Sequence, residues 1–569
     1  MRKIILSLII FVSCTSPKSS EQAAGVCLDK SCTSPTAMVV TAHPEATKVG
    51  LDVLRKGGNA VDAMVAVQFA LAVVYPNAGN IGGGGFMVYR AADGAVFTLD
   101  FREKAPLAAT KNMYLDEDEA VIPKLSLEGY KAAGVPGSVD GMVKAHERFG
   151  KMSWADLIAP AVQLAQAGFA ITAAQADDFN RLRNTFLQNN SQPEQIALIR
   201  EESWKAGDPL VQPQLGATLE RIQQEGREGF YAGQTASIIA DEMRRYGGLI
   251  TEEDLQQYES VWREPVVGDF GPYKVISMGP PSSGGVALLQ LLHMSKQFPL
   301  QQWGYHTTKT IHAMAEMERR VYLDRSLYLA DPDFRNVPLQ QLLDTAYLGR
   351  KAENISLEQA TISQSLSPAQ ETPVKEHEQT THFSIVDTDG NAVSLTTTIN
   401  NSYGSRTFVA GAGFLLNNEM DDFSIKPGTP NYYGLVGGEA NAIAPGKRML
   451  SSMTPTIVEK KGQLHLVLGT PGGATIITSV YQTIINITLF DMDIKDAVWA
   501  GRFHHQWLPD QIFLEEGAIP QPVQDSLQAM GHTLQVRSPF GRVDAIMVRD
   551  KGQLVGAGDP RGDDMAGGF

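Results

Sequence analysis

Two threonines are spaced so that they can build a nucleophile. Residues Thr380 to Asp387 alternate as a strand does, Asp389-Gly390 has the composition of a tight turn, and Ala392 to Thr398 reads as the return strand. A turn centred on position 389 sets Thr380 opposite Thr398. A threonine hydroxyl is a weak nucleophile until a base removes its proton. A free α-amino group on the same residue, with an ordinary pKa of about 7.7 to 8.0, is such a base. That amine exists only if the Gln379-Thr380 bond is cut.

Other groupings fall short of a site. His377 and His382 bracket a glutamate in a pattern close to the zinc motif H-E-x-x-H, with one residue too many. A five-residue step sets two side chains about 140° apart on a helix, too far round to share an ion. His504-His505 has no Cys or carboxylate cluster around it, and adjacent strand residues point apart, so core packing or a hydrogen-bonded histidine is expected there. Gly82 to Gly85 lacks the order of a dinucleotide-binding loop and follows a helical pattern, so it is expected as backbone packed close to a site. No metal and no cofactor are expected.

Elements able to position the threonines surround them. Met38 to Ala42 reads as a short strand, and helices follow from Pro44 to about Lys56 and from Asn59 to Val74, broken at Gly57-Gly58. The section from about 126 to 345 is expected to be mostly helical, with amphipathic windows at 156–168, 218–225, 235–246, 286–296 and 307–329. Residues 346 to 379 are polar and aperiodic and read as an exposed, flexible linker leading into the hairpin. From Thr380 onward short alternating strands dominate, with a hairpin around Asp550 to Gly552, while 493–500 reads as a core helix.

The first residues are an export signal. Arg2-Lys3 precede an apolar run from Ile4 to Val12, far shorter than the roughly 20 residues a spanning helix needs. Phe11-Val12-Ser13-Cys14 resembles the bacterial lipoprotein cleavage box, so Cys14 is a candidate lipidation site and the chain is expected outside the cytoplasm, periplasmic or lipid-anchored to the cell envelope. Residues 14–37 are expected to be a tether, with Cys27 and Cys32 close enough to form a small structural disulfide loop.

At 569 residues the chain is long enough for two to four cores or one large layered domain. Its 48 basic against 63 acidic side chains leave a net charge of -15, and no Lys/Arg run exceeds two or three residues. Such a field repels nucleic acid and anionic membrane surfaces, so neither is expected as a partner beyond the lipid anchor.

Seven blocks in order then carry a resemblance: Gly57-Gly58-Asn59-Ala60-Val61-Asp62-Ala63, Gly79-Asn80-Ile81-Gly82-Gly83-Gly84-Gly85-Phe86, Asp100-Phe101-Arg102-Glu103, Pro280-Pro281-Ser282-Ser283-Gly284-Gly285, Leu416-Asn417-Asn418-Glu419-Met420-Asp421-Asp422-Phe423, Ser451-Ser452-Met453 and Pro471-Gly472-Gly473. With the Thr380 segment, the chain after its signal resembles the γ-glutamyltransferases of the N-terminal nucleophile hydrolase superfamily. The resemblance implies an α+β fold, a four-layer αββα sandwich of two antiparallel sheets between helical layers. It also implies self-cleavage at Gln379-Thr380 into a large subunit, 38–379, and a small catalytic subunit, 380–569, interlocked as one structural domain. The expected substrates are glutathione and other γ-glutamyl compounds, with water, amino acids or peptides taking the acyl group from Thr380.

The same resemblance assigns roles. Thr398 orients the nucleophile, and Gly472 and Gly473 supply the oxyanion hole. Arg102 grips the substrate α-carboxylate, helped by Ser451 and Ser452. Asn400, Glu419 and Asp422 accept from the α-amino group, and 427–438 with Tyr433 forms a lid. Two other readings stay open: a β-lactam acylase or poly-γ-glutamate hydrolase of the same superfamily, and an exported binding lipoprotein that never matures. Arg102 with Asp422 argues against the first, and the intact nucleophile, partner threonine and glycine pair against the second.

Overall fold

The computed structural model describes residues 27–367 and 380–569. Side-chain alternation along its strands explains the layering. Val39 faces one way into a core shared with helices, while Met38 and Val40 face the other way into a core between two sheets. Met87 and Tyr89 against Val88, and Val458 against Ile457, divide in the same manner. Each sheet is thus apolar on both faces, and each needs a second sheet on one side and helices on the other.

The first sheet has eight strands in the spatial order Cys27–Asp29, Met565–Gly568, Met38–Thr41, Thr381–Val386, Ala392–Thr398, Gly84–Arg90, Val96–Asp100, Val261–Arg263. The second has seven: Ser31–Ser34, Leu554–Ala557, Asp544–Val548, Gln463–Gly469, Thr456–Lys460, Tyr273–Ser277, Val266–Phe270. Every neighbouring pair is antiparallel. Helices Pro44–Arg55 and Ala60–Val74 cover the first sheet, and Gly284–Ser295 with Thr475–Thr488 covers the second. This is the expected αββα sandwich, with strands from before and after position 380 interleaved.

Ala60–Val74 is buried along its whole length, so its start must be satisfied internally. Asn59 and Asp62 cap it reciprocally, and Asp387, just after the strand Thr381–Val386, accepts the Ala60 N–H at 2.8 Å. The hairpin and its covering helix are therefore bolted together. Thr381 faces Thr397 across the hairpin, the register anticipated for a turn at position 389.

Three expectations need correction. Residues 27–34, read as part of a 14–37 tether, form two strands, one in each sheet, and a disulfide joins Cys27 to Cys32 across them. Polar composition misled there because the strands are short and sit at sheet edges, where polar residues are tolerated. The 346–379 linker contains the helix Thr345–Glu353, which buries Leu348 and Ala352. The mostly helical middle section also holds three strands between Val261 and Ser277. Cys14, Gln379, His377 and the signal segment lie outside the described residues.

Candidate active site

Thr380 stands at the head of its strand, nearly buried, with its Oγ1 3.3 Å from Thr398 Oγ1. Thr398 is fixed from two sides. Its Oγ1 accepts the Asn400 N–H at 2.8 Å, and its carbonyl accepts from Asn80 Nδ2 at 3.0 Å. Asn80 is itself held by Ser138 Oγ at 2.7 Å and the Gly83 N–H at 3.0 Å. A Cβ on Gly83 would lie 2.0 Å from the Thr398 carbonyl oxygen, so the glycine run is the close backbone approach foreseen for it.

The backbone at Thr380 is strained. Its φ is 142°, a region that side-chain-bearing residues avoid at a cost of about 1–3 kcal/mol. That torsion turns about the bond just after the 379–380 peptide. Cutting the peptide abolishes the torsion, so the strain favours cleavage.

Histidine is not the base here. His382 sits between the sheets, bonded to Thr396 Oγ1 at 2.9 Å and Ser384 Oγ at 3.1 Å, and burial lowers its pKa to about 3. His504 and His505 are buried too, His504 between Thr478 and Gln506, matching the core role expected of them.

Thr380 opens onto a small cavity also lined by Thr398, Asn400, Glu419, Asp422, Tyr433, Ser451, Ser452, Arg102 and Gly473. Ten of the residues singled out in sequence therefore share one space. Gly472 lies one residue away in the chain, on the turn between the strand Gln463–Gly469 and the helix Thr475–Thr488. A Cβ on Gly473 would lie 2.6 Å from the Tyr433 ring, so only glycine fits under it. Backbone N–H groups at a helix start suit a developing negative charge.

Another part of the lining is ionic. Arg102 Nη1 lies 2.7 Å from Glu419 Oε2 and 3.6 Å from Glu103 Oε2, and Nη2 lies 2.5 Å from Asp422 Oδ2. Burial pushes the Glu103 carboxyl up to about 8 against the pull of Arg102. Burial likewise raises Glu419 well above the usual carboxylate range, with Arg102 opposing and Glu103 adding to the rise. Arg102 is held strongly protonated by these acids despite its burial.

Over the cavity lies the segment 427–438. Tyr433 Oη donates to the Asn400 carbonyl at 3.0 Å and also lies 3.0 Å from Asn401 Oδ1. The segment is pinned by Asp421, whose Oδ2 accepts the Tyr432 N–H at 2.9 Å and whose Oδ1 meets Ser126 Oγ at 2.7 Å. Burial lifts Asp421 to about 7, opposed by those two donors.

Sequence reasoning missed Glu103, Asn80 as the support of Thr398, and above all Arg325, which lines the cavity from the helix Thr308–Tyr328. Asn80 and Glu103 lay inside quoted blocks without a role. Arg325 carried no signal, since a charge on a long helix reads as a solvated face.

An α+β sandwich of two stacked antiparallel sheets, with two threonine hydroxyls meeting at the head of a central strand, is the fold of the N-terminal nucleophile hydrolase class. Comparison with known proteins narrows this. The sequence model of the gamma-glutamyltranspeptidase family matches residues 46–569, and the chain belongs to that family. It is 43% identical to a glutathione hydrolase proenzyme of Escherichia coli over 100% of this chain and 99% of that one. It is 47% identical to the Pseudomonas aeruginosa glutathione hydrolase proenzyme, over 90% and 91%. Among solved structures, a cephalosporin acylase from Bacillus halodurans covers 99% of both chains at a TM-score of 0.82 and 25% identity. A gamma-glutamyltranspeptidase from Helicobacter pylori is 46% identical, covering 57% of this chain and 94% of that one at a TM-score of 0.56.

Proposed function

We propose that this chain is a proenzyme that cuts itself between Gln379 and Thr380 and then works as a γ-glutamyltransferase and glutathione hydrolase. One observation carries the reading: a threonine pair 3.3 Å apart shares a small cavity with a guanidinium bracketed by carboxylates. The nucleophile supplies acyl transfer, and the paired charges suit a zwitterionic glutamyl end. The glutathione hydrolase proenzymes among its relatives support the substrate.

In maturation, Thr380 Oγ attacks the Gln379 carbonyl carbon, the Thr380 nitrogen leaves as an amine, and water hydrolyses the resulting ester. The freed amine is then the base for turnover. It takes the Thr380 hydroxyl proton as Oγ attacks the γ-carbonyl of the donor, and it returns that proton to the departing amine. Gly472 and Gly473 N–H groups receive the oxyanion, and Thr398 keeps the hydroxyl aimed. Arg102 with Ser451 and Ser452 holds the donor α-carboxylate, while Asp422, Glu419 and Asn400 take its α-amino group. Water, or the amine of an amino acid or peptide, resolves the γ-glutamyl ester. The signal and Cys14 support a periplasmic or envelope-anchored location. Among the described residues no helix is long and apolar enough to cross a membrane.

The acylase relatives raise a second substrate class, but an acyl group lacking the α-amino or α-carboxylate charge offers Arg102 and Asp422 too little in exchange for the ion pair they make with each other. Denaturing electrophoresis tests the proposal: wild type gives two bands, the smaller beginning at Thr380 by amino-terminal sequencing, and cleaves glutathione in preference to a glutaryl amide. A persistent single chain, or preference for the glutaryl amide, overturns it.

A further inference from the structure

The cavity holds a second cation. Arg325 is 6% exposed and reaches the wall from the helix Thr308–Tyr328. A buried guanidinium ordinarily faces a carboxylate, because an uncompensated charge inside a protein is costly. Arg102 obeys this rule with three acids around it. Arg325 does not. Among the described residues its hydrogen bonds go to two hydroxyls, Nε donating to Ser283 Oγ at 3.0 Å and Nη2 to Ser452 Oγ at 3.1 Å. Burial weakens its hold on the proton, opposed first by Tyr322 and then by Asp422, and Asp422 already pairs with Arg102.

The hydroxyls say where its missing counter-charge belongs. Ser452 Oγ accepts from Arg325, so its own proton is free to be given elsewhere. Ser451 Oγ accepts the Met453 N–H at 3.1 Å and is in the same position. Ser283 donates its hydroxyl and its amide to the Ser451 carbonyl, at 2.6 and 2.8 Å, which ties the Arg325 anchor to the backbone carrying both serines. Two free O–H donors backed by an acid-less guanidinium form a receptor for a carboxylate.

We propose that Arg325 is a specificity-determining positioning residue that, through Ser452, holds the donor's α-carboxylate alongside Arg102. The inference rests on the γ-glutamyl reading above and adds to it. It also bears on the arrangement of charge: Arg102 already faces the chain's own acids, so a second cation with no acid partner among the described residues strengthens the hold on the substrate carboxylate. Because the contact exists in the bound ground state, its loss weakens binding more than it slows the chemical step.

The test uses matured, two-chain enzyme and two chromogenic donors, γ-glutamyl-p-nitroanilide and the same anilide with its α-carboxylate converted to a carboxamide. Wild type is expected to favour the carboxylate donor, and indifference between the two sinks the γ-glutamyl reading itself. Given that preference, Arg325→Gln is expected to raise KM for the carboxylate donor about 30-fold with kcat within about threefold, and to change kcat/KM for the carboxamide donor less than threefold, the size of a lost charge-assisted contact. Arg325→Lys, which keeps the charge but cannot bond both serines at once, is expected to fall between. Equal losses on both donors, or no loss on the carboxylate donor, overturn the role of Arg325 alone. Failure of both variants to mature also overturns it, since Arg325 would then be a structural residue.

Discussion

The two walls of the cavity are built on opposite principles. One carries Thr380, Thr398 and the Gly472-Gly473 turn, all uncharged, and is held by backbone hydrogen bonds and strand register. The other carries Arg102, Arg325, Asp422 and Glu419, all ionisable: Arg102 is held by ion pairs to Glu419 and Asp422 across long sequence separations, and Arg325 by serine hydroxyls. The difference separates rate from recognition. The neutral wall works where charge appears only in the transition state. The ionic wall works on charges the substrate brings with it, so the two should fail in different kinetic parameters.

The sharpest break is Thr380→Ala, which removes the nucleophile for both reactions. It is expected to stay a single chain on a denaturing gel and to lose at least about 10⁴-fold in turnover. Thr398→Val keeps the shape and deletes the hydroxyl. Its kcat is expected to fall about 10²-fold, KM to stay within a few-fold, and maturation followed by gel time course to slow with it. If KM moves instead, the separation of the walls is wrong. Arg102→Gln is expected to mature normally while KM for a γ-glutamyl anilide rises about 100-fold, with Asp422→Asn costing about tenfold in initial-rate assays.

A pH effect comes next. Asp421 titrates near 7 in the fold, whereas an unfolded aspartate does so at about 3.9. Between those values the folded chain keeps a proton that the unfolded chain has released. The stability tied to this group is therefore full below about pH 4 and is lost as pH rises through about 7. Asp421→Asn mimics the protonated form, so its advantage in Tm over wild type should widen from pH 5 to pH 7.5 and then level off. A constant gap in calorimetry excludes the titration. The smallest effect is expected far from both walls: Cys27→Ser opens a short loop, costs about 2 kcal/mol in denaturant unfolding and leaves kcat and KM unchanged.

What could be read from sequence followed the range of the forces involved. The 381–397 pairing was legible because a hairpin register depends on a few adjacent residues. Helices with one apolar face, such as Trp154–Ala167, were legible from their period. The strand Gly84–Arg90 was not, because both its faces are buried and it opens on glycines, which erases alternation. Of the site, the residues inside compact blocks were found through the resemblance. Arg325 was not, because the helix Thr308–Tyr328 pairs its charges internally, with Glu316 joined to Arg319 and Arg320. Nothing in its sequence distinguishes a charge turned to water from one turned into the cavity.

The placement of the strand Met565–Gly568 bears on the order in which the first sheet can form. It lies between Cys27–Asp29 and Met38–Thr41, and Met38–Thr41 in turn pairs with the nucleophile strand. During synthesis the edge strand Cys27–Asp29 emerges long before Met565–Gly568, its neighbour in this sheet. That end of the sheet therefore stays unpaired until residues beyond 565 have been made, and it is completed by a late, long-range pairing rather than strand by strand as the chain emerges.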